Sequence, residues 1–214
     1  MSRLLILGAG GHARVVAETA LACGAASSIS FLDDRLGVDP LSRQVLGWPV
    51  LGPLGLSLKL GISDQFDSAV VAIGHAQTRL EWVQHLHLAG YKLPTIVHPT
   101  AWVSPSAQLG PSTVVFAQAV VQAQVSIGIG AILNTGCSVD HDAQLADGVH
   151  LCPGSCLAGE VKVGSRSWIG IGASVIQQVC IGSDVTVGAG ASVVRDLPSS
   201  VTAVGVPARV VTLH

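Results

Sequence analysis

Charge, aromatic side chains and long apolar runs are all scarce in this sequence. Only 11% of its 214 residues are charged and 4% are aromatic. The net charge of −2 supplies no basic surface, so nucleic acid is not expected as a partner. No window contains 18 uninterrupted apolar residues, which argues against a transmembrane helix although 49% of the residues are hydrophobic.

The N-terminus lacks the features of a signal peptide. Its apolar run ends at Gly8 after four residues, and no small-residue cleavage site follows a proper apolar core. We therefore expect a cytoplasmic protein with no membrane insertion. The chain has an odd number of cysteines, which we interpret as buried free thiols. Cys152 and Cys156 are four residues apart, but no second pair with metal-ligand spacing supports a zinc site.

The second half of the chain repeats with a period of six. Every sixth residue from Val97 to Val193 is aliphatic, 17 in succession, and a small residue stands two positions before most of them. A six-residue period fits neither an α-helix nor an alternating strand, and it is typical of a β-solenoid built from hexapeptides. Three hexapeptides would close one coil, and the aliphatic side chains would fill its interior. This buried column explains the high hydropathy without a membrane.

The first 95 residues have a different pattern, in which strands alternate with helices. Apolar runs at 3–7, 27–34 and 67–74 indicate strands, and the segments 13–23 and 78–90 have helical patterns. This alternation predicts a small parallel sheet. Gly8, Gly10 and Gly11 form a turn before the first helix, where backbone N–H groups offer an anion site. The same turn is compatible with a dinucleotide fingerprint, but NAD chemistry would require a hydride acceptor that a β-solenoid does not offer.

Polar residues cluster within the solenoid around His141. Asp140 and Asp142 flank this histidine, and His150 follows nine residues later. His141 lies two residues after the inward-facing Val139, so we expect it at a corner, where side chains face outward. A histidine can act as a general base, and either aspartate could orient its ring, as a carboxylate does in a catalytic triad. The alternative is a solvated turn histidine.

One coil later the chain has a glycine. Gly159 follows His141 by three hexapeptides and should therefore stack on it at the strand spacing of about 4.8 Å. A glycine leaves room for an acyl donor beside the base, and its N–H could donate to a thioester oxygen. The alternative is a glycine that only relaxes a turn.

The repeat resembles that of the hexapeptide-repeat acyltransferases, and the ending "VGVPARVV" resembles their acyl-CoA-adjacent tail. The whole layout is more specific: "GAGGHA", "FLDD", "AIG" followed by Arg79, "HPTAWVS" and then hexapeptides. It is similar to the NeuD/PglD-like sugar acyltransferases. The resemblance implies a Rossmann-like α/β domain over residues 1–95 and a left-handed parallel β-helix with a C-terminal tail over residues 96–214. It also implies a homotrimer with active sites between subunits, acetyl-CoA as the acyl donor and no metal.

The resemblance also implies catalytic and binding roles for the residues that match the family's motifs. It implies His141 as the base and Asp142 as its partner. It places two groups of residues on the substrates. At acetyl-CoA it places His150, Gly159, Gly170, Ala189 and Arg209. At the nucleotide sugar it places Gly10, Gly11 and His12 on the diphosphate, Asp33 and Asp34 on the base, and Arg79 and Asn134 as further contacts. The alternative for His12 is a cap of the first helix. Relatives have "AIGN" or "AIGD" where this chain has "AIGH", with His75.

The sequence therefore predicts an acetyl-CoA-dependent N-acetyltransferase. Its acceptor would be the 4-amino group of a nucleotide-linked 4-amino-4,6-dideoxy sugar, and its product would serve glycan biosynthesis. "FLDD" resembles the uridine-specific relatives, whereas "VDHD" is closer to those acting on GDP-perosamine, so UDP and GDP both remain open. The first alternative is a sialic-acid-type O-acetyltransferase. A non-catalytic scaffold and a zinc carbonic anhydrase are further alternatives, and the latter would need a third ligand besides His141 and His150.

Overall fold

The computed structural model describes residues 2–35 and 44–213. The chain forms two compact units, residues 1–98 and residues 99–214, which are described separately.

The first unit contains a five-stranded sheet. Its strands are β1 (Arg3–Leu7), β2 (Ser28–Leu32), β3 (Gln44–Val45), β4 (Trp48–Gly52) and β5 (Ser68–Val71). The strand order is β3-β4-β2-β1-β5, and only the β3–β4 hairpin is antiparallel. Leu4 to Leu7 in the interior strand β1 are fully buried, as the continuous apolar run of a parallel strand covered on both faces requires. The carboxyl ends of β1, β2 and β5 meet at one edge of this sheet.

Two helices accompany the sheet, α1 (Gly11–Ala22) and α2 (Ala76–Leu88). Two short 3-10 helices (Leu54–Leu58 and Ser63–Gln65) and the strand β6 (Ile96–Val97) complete this unit. A core of Leu5, Leu32, Val71 and Leu86 joins the sheet to α2. The sequence predicts the three parallel strands and both helices. It did not indicate β3 and β4, where Gly47 and Pro49 interrupt the short apolar pattern.

The second unit is built from two-residue strands that occur every six residues. They form three parallel sheets, which we call faces 1, 2 and 3. Face 1 contains β7 (Trp102–Val103), β10 (Val120–Val121), β13 (Ser138–Val139), β16 (Cys156–Leu157), β19 (Ser174–Val175) and β22 (Ser192–Val193). Face 2 contains β8 (Gln108–Leu109), β11 (Ser126–Ile127), β14 (Gln144–Leu145), β17 (Lys162–Val163) and β20 (Cys180–Ile181). Face 3 contains β9 (Val114–Val115), β12 (Ile132–Leu133), β15 (His150–Leu151), β18 (Trp168–Ile169) and β21 (Thr186–Val187).

Each strand pairs with the strand one coil later. Val121 lies opposite Val139, and Val139 lies opposite Leu157, so each strand meets the third strand that follows it in the chain. The aliphatic column is buried from Val115 onward, whereas Val103 and Leu109 at its start are half-buried. The small residues two positions earlier, such as Ala119 and Ala143, are fully buried as well. The hexapeptide coil predicted from the sequence is therefore confirmed.

The three edges between the faces also repeat once per coil. Each edge has one position with a left-handed backbone. On the edge between faces 3 and 1, this position holds glycine in four successive coils, at Gly136, Gly154, Gly172 and Gly190. On the edge between faces 1 and 2, which we call the 1–2 edge, it holds Gln124, Asp142, Glu160 and Gln178. The 1–2 edge therefore keeps polar side chains where glycine would be easier.

The chain ends in an antiparallel hairpin of β23 (Val201–Val204) and β24 (Arg209–Leu213), and β23 extends face 3 by pairing with β21. In residues 2–35 and 44–213, no helix has the length and apolarity needed to cross a membrane. The expectation that all five cysteines are buried is wrong. Only Cys137 and Cys152 are buried. Cys156 and Cys180 are exposed because each opens a two-residue strand, where the first side chain faces outward.

Candidate active site

His141 lies in the turn between β13 and β14, on the 1–2 edge. Its ring Nδ1 is 2.8 Å from the Asp142 Oδ2, and its backbone N–H donates to the Asp140 Oδ1 at 2.8 Å. A carboxylate only accepts hydrogen bonds, so Nδ1 carries the proton and the lone pair of the neutral ring is on Nε2. The ring therefore pairs with Asp142, while Asp140 holds the backbone of the turn. The sequence left these two aspartates as alternatives.

Three carboxylates act on the His141 ring. The hydrogen bond that His141 donates to Asp142 is the largest cause that raises the pKa of His141, and the charges of Asp140, Asp142 and Glu160 add to it. The His141 side chain is 55% exposed, which leaves it accessible to a substrate. An exposed imidazole of raised basicity, with a fixed tautomer, is equipped to accept a proton through Nε2.

Gly159 lies against this ring, as the hexapeptide period predicts. A Cβ built on Gly159 would lie 2.6 Å from the His141 Nε2 and 2.7 Å from its Cε1. These contacts are far shorter than packing allows, so only glycine leaves the ring in this position. The Gly159 N–H makes no hydrogen bond to the residues that the structure describes. A free backbone donor therefore lies close to the nitrogen that would act as the base.

Shallow depressions flank His141 on both sides. One, of about 360 Å³, lies on face 1 and includes Asp140, Ser138, Cys156 and Ala158 in its lining. The other, of about 400 Å³, lies on face 2. Its lining is polar and consists of Asp142, Gln144, Glu160, Lys162, Gln178 and Cys180.

The other residues expected at acetyl-CoA do not join His141 within one chain. Gly170 and Ala189 lie on the edge between faces 3 and 1, where Asn134 also lies. His150 opens β15 on face 3, and Arg209 begins β24. A Cβ on Gly170 would lie 2.6 Å from the Val187 carbonyl oxygen of the next coil, so this glycine is required by the fold itself. Only Gly159 of this group lies beside His141.

His150 contacts an aromatic side chain on face 3. Its ring meets that of Trp168 edge to face, with the centroids 6.3 Å apart, because the two residues pair in register one coil apart. Trp168 is 37% exposed. Trp168 therefore packs on the surface of face 3.

The first unit has a pocket of about 300 Å³ at the carboxyl edge of its sheet. It brings together five of the residues expected at the nucleotide sugar. Its lining includes Gly10, Gly11, His12, Asp33 and Asp34, along with Gly8, Leu54, Ile73 and Gly74. Gly10 is the N-cap of α1, and no side chain caps this helix. The N-terminus of α1 therefore opens into the pocket, an arrangement that favours an anionic group.

His12 and Arg79 differ in their relation to this pocket. Burial, with a smaller contribution from the charge of Arg79, lowers the pKa of His12 to about 4, so its ring is neutral at physiological pH. Arg79 is 1% exposed and does not line the pocket. Its Nη1 donates to the carbonyl oxygens of Ile73 at 3.0 Å and Gly74 at 2.7 Å. Arg79 thus holds the 73–74 loop, which forms one wall of the pocket.

Asp33 and Asp34 are partly occupied by the fold. The Asp33 oxygens accept from the N–H groups of Ala9 and Arg35, both at 2.8 Å, and the residue is 7% exposed. Asp34 is exposed and accepts from the Leu54 N–H at 2.9 Å. Asp33 therefore shapes the glycine turn from within, while Asp34 is the more accessible of the two for a ligand.

His75 caps the second helix. Its Nδ1 accepts from the Thr78 N–H at 3.4 Å and lies 2.9 Å from the Thr78 hydroxyl. Asn and Asp, which the relatives have at this position of the motif, are common N-cap residues, so the histidine supplies an equivalent acceptor. This capping role is new, since the motif alone assigned none to His75.

No group of three or more His, Cys, Asp and Glu side chains in the described part of the chain could hold a metal ion.

Comparison with known proteins identifies the family. A family model described as the PglD N-terminal domain matches residues 3–86. A variant of perosamine N-acetyltransferase from Caulobacter crescentus, solved with CoA and GDP-perosamine, is 42% identical over 99% of this chain and 98% of its own, with a TM-score of 0.92. The acetyltransferase domain of PglB from Neisseria gonorrhoeae, solved with acetyl coenzyme A, is 44% identical over 98% of each chain, with a TM-score of 0.91.

A third structure, WeeI from Acinetobacter baumannii, is 24% identical over 99% of this chain and all of its own, with a TM-score of 0.87, and supports the fold alone. The predicted fold class, a Rossmann-like α/β domain followed by a left-handed parallel β-helix, is confirmed. With relatives above 40% identity over nearly the whole chain, this acyltransferase belongs to the PglD/NeuD-like sugar acyltransferase family.

Proposed function

We propose that this protein transfers the acetyl group of acetyl-CoA to the 4-amino group of a UDP- or GDP-linked 4-amino-4,6-dideoxy sugar. The observation that carries the proposal is the arrangement at His141: Asp142 fixes Nδ1, and Gly159 leaves Nε2 uncovered by any side chain of its own. The relatives solved with CoA and GDP-perosamine, or with acetyl coenzyme A, support both substrate classes. GDP-perosamine is therefore the first acceptor to test.

The reaction is a direct attack on the thioester. The neutral amine nitrogen forms a bond to the carbonyl carbon, and the carbonyl oxygen takes up negative charge that the Gly159 N–H can stabilise. His141 Nε2 accepts the proton that the amine nitrogen loses. The intermediate then collapses, the C–S bond breaks, and the CoA thiolate leaves and takes up a proton. The products are an amide and free CoA.

The charge around His141 favours an amine over a hydroxyl group as acceptor. Asp140, Asp142 and Glu160 make this part of the 1–2 edge negative. A sugar amine arrives largely as an ammonium ion near neutral pH, and these carboxylates would attract it before it loses a first proton to water and becomes the neutral amine that attacks. A hydroxyl carries no such charge. This supports N-acetylation over the sialic-acid-type O-acetylation.

An active site shared between subunits would explain the separation of the expected residues. His141 and Gly159 lie on the 1–2 edge, whereas His150, Gly170 and Ala189 lie on or beside face 3. In a homotrimer of parallel prisms, the 1–2 edge of one subunit could meet face 3 of its neighbour. Acetyl-CoA and nucleotide sugars are both cytoplasmic metabolites, so the reaction belongs in that compartment.

A matched pair of acceptors tests the proposal. GDP-perosamine and GDP-rhamnose differ chiefly in whether C4 carries an amino or a hydroxyl group. We expect CoA release and an acetamide product with the amine, and no more than background release with the alcohol. CoA release with the alcohol at a similar rate would contradict N-acetylation. The UDP-linked amino sugar serves as the second acceptor in the same assay.

A further inference from the structure

Asp142, Glu160 and Gln178 occupy the same position in three successive coils of the 1–2 edge. Each follows the previous one by one coil, and their φ angles are 58°, 61° and 63°. This left-handed conformation is unfavourable for a residue with a Cβ, and Asp tolerates it better than Glu does. Glycine holds the equivalent position in four successive coils of the edge between faces 3 and 1, so the solenoid does not require a side chain there.

Glu160 is tied to His141 and to Gln178. Its backbone N–H donates to the His141 carbonyl oxygen at 2.9 Å, which joins the two turns. Its carboxylate accepts from the Gln178 Nε2, at 3.3 Å to one oxygen and 3.4 Å to the other. Gln178 thus holds the Glu160 carboxylate along the edge that Asp142 shares, where both line the same depression.

Three carboxylates and one ammonium group lie on this part of the edge. Asp142 contacts the His141 ring from its own turn, Asp140 precedes it, and Glu160 belongs to the next coil. Lys162 supplies a positive charge within the lining of the face 2 depression. Of the three carboxylates, that of Asp142 accepts a hydrogen bond from the His141 ring, and that of Asp140 accepts one from the His141 backbone N–H. The Glu160 carboxylate bonds to neither, but the Glu160 N–H bonds to the His141 carbonyl oxygen and the residue lies one coil from Asp142 on the same edge, so its charge is held in the turn next to the ring.

We propose that Glu160 is a positioning residue of the acetyl transfer, which acts through His141 by making the imidazole more basic and is itself held by Gln178. This inference rests on the proposed function, in which His141 accepts a proton from the attacking amine. A more basic imidazole accepts this proton more readily, although it is also protonated over more of the acid range. The Asp142–His141 pair provides the tautomer, and Glu160 adjusts the strength of the base.

Titration of His141 by NMR tests this proposal without any substrate. The eight histidines of the chain would be labelled, and the His141 signal assigned by its loss in His141→Asn. In Glu160→Gln, the pKa of His141 should fall, since one negative charge is removed at about the same shape. Glu160→Asp keeps the charge and should keep most of the wild-type value. Glu81→Gln is the control, because Glu81 is an α2 residue whose side chain pairs with Gln77.

An unchanged pKa of His141 in a folded Glu160→Gln variant would overturn the proposal. So would a fall of equal size in Glu160→Asp or in Glu81→Gln, since a charge at this position would then not be the cause.

The pH profile of catalysis gives the second measurement. With the accepted amino sugar, the acid limb of kcat/KM should move to lower pH in Glu160→Gln, and kcat on the plateau should fall about twofold because the base is weaker. The KM for acetyl-CoA should not change. If Glu160→Gln shifts the NMR titration while no amino sugar is acetylated, the proposed function fails and the role of Glu160 in tuning the histidine stands. If an amino sugar is acetylated but the His141 titration does not shift in Glu160→Gln, the proposed function stands and the role of Glu160 fails.

Discussion

At the scale of single residues, replacing His141 with Ala removes the proposed base and leaves its partner Asp142 in place. We expect kcat to fall by about 10²- to 10⁴-fold, the usual contribution of a general base. The KM for both substrates should change little, and the melting temperature should be retained because the side chain is largely exposed. Steady-state kinetics measure both parameters. A His141→Ala enzyme with more than about a third of the wild-type kcat would remove this residue from the mechanism.

The pH dependence follows from the same contact. His141 must be neutral to accept a proton, and its pKa is raised mainly by the Asp142 hydrogen bond. The wild-type kcat/KM should therefore fall as the pH drops through this raised value. In Asp142→Asn the raising cause is lost, so the acid limb should move to lower pH while the plateau rate decreases. A limb that stays in place, or moves to higher pH, would contradict the pairing.

The same substitution, glycine to alanine, should reduce activity at Gly159 but stability at Gly164. In Gly159→Ala the three atoms nearest to the new Cβ all belong to the His141 ring, which can move, so we expect a folded protein with a displaced ring and a kcat reduced at least tenfold. In Gly164→Ala the Cβ would lie 2.5 Å from backbone atoms of Gly182 and Ser183, so the cost falls on stability, about 1–3 kcal/mol. Thermal melting and CoA release separate the two. A Gly159→Ala variant with wild-type turnover would show that the space beside His141 is not used.

The six-residue period explains which neighbours on the 1–2 edge could be predicted from the sequence. The coil length was enough to place Gly159 on His141, because strand pairing fixes what lies in the next coil. The coil length also places Glu160 on Asp142. No family motif includes Glu160, however, so its contacts with His141 and Gln178 are apparent only in the structure. The residues alone could not decide between Asp140 and Asp142, although the family resemblance implied Asp142, because the choice depends on side-chain rotamers and on the left-handed backbone at Asp142.

At the scale of elements, the wall of the first-unit pocket depends on a buried arginine in α2. Arg79→Met keeps the aliphatic volume but leaves the Ile73 and Gly74 carbonyl oxygens without this donor. We expect the KM for the nucleotide sugar to rise at least tenfold while the KM for acetyl-CoA is unchanged. His75→Asn, which keeps a cap on the same helix, is the control and should leave both KM values near wild type. Equal changes in both KM values would indicate a general loss of structure.

In the first unit, sequence patterns reveal the strands and helices but not which residues touch the ligand. The three parallel strands and both helices have apolar runs long enough to be recognised. The sequence assigned Arg79 and Asp33 to the substrate by motif, whereas in the structure Arg79 bonds to loop carbonyl oxygens and Asp33 bonds to backbone N–H groups. A motif identifies residues that a site needs, but it does not distinguish a residue that touches the ligand from one that holds the wall.

At the scale of the whole molecule, a site shared between subunits predicts complementation. In such a shared site, His141→Ala removes the residue that one subunit contributes, and His150→Ala removes the residue that its neighbour contributes. If one subunit supplies His141 and its neighbour supplies His150, equal mixing by co-expression should produce intact sites at about a quarter of the positions of a random trimer. A site formed within one chain would produce none. Activity of the mixed trimers at the level of the two parents would therefore contradict the shared site.

The whole molecule is proposed to acetylate an amino sugar attached to a nucleotide. The most direct measurement is the kcat/KM for CoA release with acetyl-CoA and 4-amino-4,6-dideoxy sugars linked to UDP, GDP and dTDP, with the product identified by mass and its resistance to mild alkali. We predict that the UDP- or GDP-linked sugar gives a kcat/KM of at least about 10⁴ M⁻¹s⁻¹, in the range of ordinary enzymes, and an alkali-stable amide. CoA release with none of the three, or an alkali-labile ester as the product, would contradict it.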